Sequence, residues 1–292
     1  MTSIPNTPLT GTPSSDHSLI RASQYNNDQL AEIYNQARVD YIVPMPMNGK
    51  RMKEYIDFYD IDLNSSFVSL NDDGLETGIA MLGVRGDRTW VTRLGVIPER
   101  RGYRVGQHLA EALLEESVRI GARLVQLEVI VGNAPAYHLF SKLGFEPVRE
   151  LLVCGRPPGV LSAPDADGVS IRKIRPDEFG PLLESRTVTP SWLDETASLL
   201  NTGSLQGVLV KAPNEAPAWV IFRSAPFQLS HFAFSTTPFM DGVRMALGAI
   251  YQEFHRQDTK LENLPSDSPI WPVLQSAGFI ESFRRTEMYL KL

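Results

Sequence analysis

Leu94-Gly95-Val96-Ile97-Pro98-Glu99-Arg100-Arg101-Gly102-Tyr103-Arg104-Val105-Gly106-Gln107 is the stretch on which the fold turns. It reads as the end of an apolar strand, a loop opened by Pro98, and the first turn of a helix. At such a junction unpaired amide N–H groups converge and the helix dipole adds positive potential, while glycine lets the backbone approach an anion closely. Arginines 100, 101 and 104 add full charges. Taken alone, the same residues also describe a helix start with solvated arginines, so the flanking sequence has to decide.

Upstream, the pattern predicts a strand near 64 to 70, the turn Asn71-Asp72-Asp73-Gly74, a strand near 76 to 84, a turn at Gly86-Asp87 and a strand from Trp90 to Val96. These make an antiparallel meander. Downstream, Val105, Leu109 and Leu113, with Ala110, Leu114 and Val118, form one apolar stripe of a helix. The strand Leu124 to Val131 then alternates Gln126, Glu128 and Ile130 with Val125, Leu127 and Val129, and polar groups on one face of a central strand need a reason. A short helix with Ala136, Leu139, Phe140 and Leu143 on its buried face ends at Gly144. The class is α+β, a mixed and mostly antiparallel sheet flanked by helices.

The pattern occurs twice. Leu19-Ile20-Arg21-Ala22 opens the first half and Ser170-Ile171-Arg172-Lys173 the second, each a short strand running into a helix-starting stretch. Ala134-Pro135-Ala136-Tyr137, then Leu143-Gly144-Phe145, parallels Ser268-Pro269-Ile270-Trp271, then Ala277-Gly278-Phe279, with equal spacing from proline to the Gly-Phe pair. Arg156-Pro157-Pro158-Gly159 and the breaker-rich run to Gly168 read as a linker. The expected organisation is therefore a floppy tail over 1–17, a first domain over 18–155, a linker over 156–168 and a second copy over 169–292.

Composition narrows the function classes. The 292 residues are 42% apolar and 21% charged, with no apolar run near the roughly 18 residues a membrane span needs. Residues 1 to 17 lack the basic start and apolar stretch of a signal peptide. The single cysteine, Cys154, leaves no intramolecular disulfide or cysteine metal cluster, which fits a reducing cytoplasm. A net charge of −6 argues against a nucleic-acid surface, though a local basic patch can still hold one anionic cofactor.

The run from Trp90 to Phe145 resembles the GNAT superfamily of acetyl-CoA-dependent N-acetyltransferases, whose loop reads Gln or Arg, two residues, Gly, one residue, Gly or Ala. Arg101 and Gly106 fit its ends, and Arg104 replaces the middle glycine. If that position requires positive φ, a side chain there costs about 1 to 2 kcal/mol; otherwise Gly102 takes over the bend. The superfamily's downstream signature matches at Asn133, Ala136, Leu139, Lys142, Gly144 and Phe145. The resemblance covers about residues 18 to 152, the second half being a weaker copy in a tandem arrangement.

The resemblance implies acetyl-CoA as acetyl donor, with no metal. The backbone of Leu94, Gly95 and Val96 would pair with the pantetheine arm, and Arg101, Gly102, Tyr103, Arg104, Val105, Gly106 and Gln107 would hold the pyrophosphate. Asn133 and Phe140 would meet the arm from the other side, and the Val96 amide is the candidate for stabilising developing oxyanion charge. Glu128 matches the base position of the ribosomal-protein alanine acetyltransferase branch; its alternative is a carboxylate paired with an arginine. That branch has a tyrosine acid where this chain has Phe140, and Tyr137, one turn earlier, either supplies a hydroxyl or packs. The acceptor is expected to be a small-molecule or peptide amine, with neither nucleic acid nor membrane as partner.

For the acceptor pocket, Met45, Met47, Met52, Tyr55, Phe58 and Tyr59 are candidates, with Glu54, Asp57, Asp60 and Asp62 either drawing a cationic amine or forming a solvated helix face. The second copy has Thr236-Thr237-Pro238-Phe239-Met240-Asp241 in place of the phosphate loop, without glycine or cation, so it is expected not to bind the cofactor. Beside the transferase reading stand an acyl-CoA-binding regulatory module without turnover and a structural protein that keeps the fold alone.

Overall fold

The computed structural model describes residues 18–162, 167–236 and 239–292. The stretch 1–17, expected as a floppy tail, lies outside the described residues, as do residues 163–166 of the expected linker and Thr237 and Pro238. The first half runs β1 (Ser18–Arg21), α1 (Asn27–Ala37), α2 (Gly49–Phe58), β2 (Phe67–Leu70), β3 (Glu76–Arg85), β4 (Arg88–Val96), α3 (Val105–Arg119), β5 (Leu124–Ile130), α4 (Ala134–Lys142) and β6 (Glu146–Arg156). The second repeats the order as β7 (Ser170–Lys173), α5 (Phe179–Glu184), α6 (Thr196–Asn201), β8 (Leu205–Lys211), β9 (Ala218–Ser224), β10 (Gln228–Phe234), α7 (Met240–Glu253), β11 (Asp258–Pro265), α8 (Trp271–Ser276) and β12 (Ile280–Lys291).

Local chemistry sets these boundaries. Asn26 and Asn48 each accept a hydrogen bond from the first turn of the helix they precede, which starts α1 and α2. Gly74 at φ 78° closes the β2–β3 turn, and Gly144 at φ 92° ends α4. On α3, Val105, Leu109, Ala110 and Leu113 are buried against the sheet, but Val118, read as part of that stripe, is 61% exposed. The buried face continues instead through Glu116 and Ser117, the latter's hydroxyl 2.9 Å from that of Thr89, and Val118 lies off that line.

All strands join one twelve-stranded sheet in the order β1-β2-β3-β4-β5-β12-β6-β11-β10-β9-β8-β7. The expected meander β2-β3-β4 is antiparallel. Two features of this order position the site. First, β4 and β5 are parallel and paired only from Arg88↔Leu124 to Trp90↔Gln126, after which they part. The second half repeats this, β10 and β11 pairing only at Gln228↔Asp258 and Leu229↔Thr259.

Second, the halves exchange their last strands. β12 lies between β5 and β6, and β6 pairs on its other side with β11, so each half's sheet continues into a strand of the other. The cores follow. Met288 of β12 is buried among Leu109, Leu127 and Phe145 of the first half, while Leu152 and Cys154 of β6 are buried in the core of the second. A further apolar cluster joins Trp90, Tyr55 and Tyr59 to Trp192 and Leu193, with the Trp192 indole N–H donating to the Tyr59 carbonyl at 2.9 Å. Arg85 and Arg88 both reach Glu195 across the same seam. The linker read over 156–168 starts at Arg156, the last residue of β6, and the spacing of sequence motifs does not report this interlocking.

Candidate active site

The parting of β4 and β5 opens a cleft of about 1240 Å³. Strand ends that separate leave backbone groups of Val91 to Val96 without a partner on that side, so an extended, amide-rich ligand can be added as a strand. At one end stands the junction between β4 and α3. Arg104 adopts φ 62°, ψ 9° as the residue preceding α3, and Gly102 also has positive φ, at 86°. The position where the family has glycine therefore does need the left-handed conformation, and here an arginine takes it alongside Gly102. His108 is the first amide of α3 to find an intrahelical carbonyl, that of Arg104 at 2.9 Å. The amides of Val105, Gly106 and Gln107 are the helix's orphan donors, and they are the groups suited to a diphosphate. A Cβ on Gly106 would point at Val96, Leu94 and Leu139, all within 4.0 Å, into the space a ligand would use.

Of the residues read from sequence, Leu94, Gly95, Val96, Arg101, Gly102, Arg104, Val105, Gly106, Glu128, Asn133 and Phe140 line this cleft. Three do not. Tyr103 is exposed on the loop, the Gln107 side chain is turned to Glu111, and Tyr137 stands 41% exposed on the outer side of α4. A hydroxyl at 137 is thus not brought to the reacting centre, because one turn before Phe140 on this helix faces outward. Arg101 is already engaged, donating two hydrogen bonds to Asp40 and others to the carbonyls of Val96 and Ala37, so it fastens the loop to the end of α1. Asn133 caps α4 and donates to the Tyr41 hydroxyl across the cleft.

Glu128 lies half-buried on the cleft wall. Trp90 Nε1 donates to its Oε2 at 2.7 Å and Asn263 Nδ2 to its Oε1 at 3.2 Å. The direct arginine pair considered for it does not form. Loss of water around it pushes its pKa up to about 7, with Arg285 pulling down and Glu287 pushing up. Glu287 faces it across the β5–β12 pair and is bound to Arg149. A carboxyl poised near neutrality suits proton transfer at ordinary pH.

Beyond Glu128 the cleft widens into a chamber walled by both halves. Tyr55, Tyr59 and Phe58 of the first half meet His231 of the second, whose Nε2 is 3.0 Å from the Tyr59 hydroxyl. Burial pushes the His231 pKa down to about 4, so it is neutral near pH 7. The acidic residues expected to draw a cationic amine are placed otherwise. Asp57 pairs with Lys53, Asp60 with Arg85, and Asp62 caps Ser65; of the four, only Glu54 lines the cleft. Met52 belongs to the core, whereas Met45 and Met47 line the cleft with the aromatics. Arg93, Arg223, His231, Asn263 and Arg285 were not found from sequence. Arg93 and His231 both sit at positive φ in strand irregularities, and nothing local marks a bulge in their sequence.

Splayed parallel strands, a left-handed residue opening the next helix and a poised carboxyl on the far strand make up a fold of the GNAT type, present here in tandem. Residues 29–145 match the family described as "Acetyltransferase (GNAT) family". Over 81 residues the chain is 31% identical to a protein of Bacillus subtilis (strain 168) provisionally named as a [ribosomal protein bS18]-alanine N-acetyltransferase. That match takes in 28% of this chain and 54% of the relative, so the chain spans about half the length of the curated protein it matches. Among solved structures, a GCN5-related N-acetyltransferase from Sphaerobacter thermophilus shares the fold over 96% of this chain and 97% of its own, at TM-score 0.71 and 15% identity. A tandem GNAT protein from the clavulanic acid biosynthesis pathway does so over 94% and 98%, at TM-score 0.66 and 13% identity. Among the described residues no helix is long and apolar enough to cross a membrane.

Proposed function

We propose that the chain transfers the acetyl group of acetyl-CoA to a primary amine, with the first half as the catalytic unit and the second completing the acceptor side. The observation that carries this is Glu128: a carboxyl with a pKa near 7, held by two neutral donors, on the wall of a cleft whose other end is a helix start with free amides. Acetyl-CoA would supply the thioester carbon. Glu128, directly or through one water, takes a proton from the acceptor's ammonium group, freeing the nitrogen lone pair to form the new N–C bond. The Val96 amide is placed to donate to the carbonyl oxygen while the C–S bond breaks. No hydroxyl acid stands at Phe140, and a thiolate whose conjugate acid has a pKa of about 8.5, taking cysteine as a guide, leaves near neutrality with little help. The products are the N-acetyl amine and coenzyme A thiol.

Similarity to the Bacillus subtilis protein supports the amine as acceptor class, and the base position is one the family uses. Thiol release from acetyl-CoA in the presence of a primary amine tests the reading; release that stays at the amine-free rate across a broad amine panel would overturn it.

A further inference from the structure

Besides Glu128, the neutral His231 and Glu54, the cleft is lined by Arg93 from β4, Arg223 from β9, Lys260 and Glu262 from β11, and Arg285 from β12. Glu262 is used up, paired with both Lys260 and Arg285. Burial opposes its ionisation, yet these two cations hold it well below the usual carboxylate range. That trio keeps one excess positive charge. Arg93 is compensated in part: its Nε is buried without a hydrogen-bond partner, but it donates through Nη1 to the Tyr34 hydroxyl at 2.8 Å and lies 3.9 Å over the Tyr55 ring. Arg223 has less. Its guanidinium lies 5.2 Å over Phe58, its Nε is buried with no hydrogen-bond partner, and no carboxylate among the described residues pairs with it. A guanidinium half-buried in a cleft and left without an acceptor is an unmet electrostatic demand.

Arg223 is also at the wrong end for coenzyme A phosphates. The phosphate loop follows Val96, whereas Arg223 is reached from Trp90 through Tyr59, His231 and Phe58. Trp90 and Val96 lie six residues apart on β4, at most about 20 Å along a strand that is shortened by the irregularity at Arg93. Beside Arg223, the β9–β10 turn puts Phe227 on the cleft rim 87% exposed, and Ser230 and Gln228 add polar groups.

Resting on the transferase reading, we propose that the acceptor amine carries a second, anionic group, a carboxylate or phosphate, and that Arg223 of the non-catalytic half binds it. This sets the substrate class opposite to the one that an acidic α2 would select. The acceptor enters with its anion at Arg223 and its amine toward Glu128, lying along the aromatic wall of Phe58, Tyr59 and His231. The second half is then a specificity element that reads the acceptor's charge.

The test uses primary amines matched in pairs that differ only in charge: amino acids against their carboxamides, and a phosphorylated amino alcohol against the free alcohol. Binding to the full chain without acetyl-CoA is followed through tryptophan fluorescence, because Trp90 lines the cleft and stacks on the buried Trp192 with ring centroids 5.9 Å apart. At least one anionic member is expected to bind about tenfold or more tightly than its neutral partner, with Arg223→Gln abolishing the difference and leaving the neutral member's affinity unchanged. The carboxylate and phosphate arms say which anion is meant. Equal binding within every pair, no binding by any member, or an equal loss for both members in Arg223→Gln would overturn the proposal. Thiol release measured on the same pairs separates the two readings: charge-selective binding that Arg223→Gln erases, without turnover of any amine, leaves the anion site standing and sinks the transferase.

Discussion

The two halves place a glutamate at the same point, seven residues before a proline: Glu128 before Pro135 in the first turn of α4, and Glu262 before Pro269 in the turn that leads into α8. Their environments have diverged. Glu128 has a tryptophan and an asparagine as partners and is pushed up to about 7, while Glu262 is fixed between Lys260 and Arg285 and held as a permanent anion. Near the start of the long helix the contrast recurs. A Cβ on Gly106 would meet only side-chain ends at 3.4 Å or more, whereas one on Gly242 would lie 2.4 Å from the Phe239 ring and 2.6 Å from Ala218. One half keeps a space and a proton-exchanging group; the other has filled the space and immobilised the charge. The two halves of this duplicated fold thus differ in packing near the long helix and in ion pairing at this glutamate.

Exchanging Glu128 for Gln breaks this contrast most directly. Thiol release should slow by about 10²- to 10⁴-fold while acetyl-CoA affinity, read by calorimetry, stays within about twofold. In the native chain kcat/KM should rise with pH through about 7 as this carboxyl loses its proton, and that limb should vanish in Glu128→Gln. Stability changes in the opposite sense. Because the folded pKa exceeds the usual 4.5, the folded state holds a proton that the unfolded chain releases, so this contribution is full below about pH 4 and is lost as pH rises to 7. Urea unfolding should show Glu128→Gln gaining on the native chain across that window, by on the order of 3 kcal/mol at its upper end.

The glycine pair sharpens the comparison next. Gly242→Ala should destabilise by about 1 to 3 kcal/mol in a denaturant melt through overpacking against Phe239 and Ala218, with acetyl-CoA affinity per folded molecule unchanged. Gly106→Val should do the reverse, lowering acetyl-CoA affinity about tenfold or more with little loss of stability. If both acted alike, the distinction between a kept and a filled space would fail. The smallest effect is expected at Asn263, which sits at φ 58° with its Nδ2 on Glu128 and its Oδ1 accepting from Arg285 at 2.7 Å. Asn263→Gly keeps the backbone conformation and deletes the donor. The acidic limb of the pH profile should move upward by some tenths of a unit, since a hydrogen bond to the anion is lost.

Much of the first half was legible because its signals are local. The stripe of α3, the turn at Gly74 and the Gly-Phe pair each need only a few adjacent residues, and the phosphate loop is one uninterrupted run. Glu128 was legible for another reason: a polar side chain among Val125, Leu127 and Val129 contradicts a buried strand unless something uses it. Arg223 and Asn263 had no such signal. Each is an ordinary polar residue in its own segment, and its meaning comes from Phe58 or Glu128 more than a hundred positions away. The acidic character of α2 left two readings open for the same reason, since charge in a segment does not say which face meets the cleft. Sheet order was hidden too, because alternation fixes the faces of β6 and β12 but not their neighbours.

The exchange of β6 and β12 makes the catalytic half topologically incomplete by itself. Its fifth strand finds its neighbour about 160 residues farther along the chain, so the sheet beside Glu128 closes only after a distant partner arrives. Severing the chain between β6 and β7 would yield two fragments that each want the other's strand, rather than an enzyme and its appendage. The second copy thus contributes the strand beside Glu128, an architectural part that the first half's own strands do not fill.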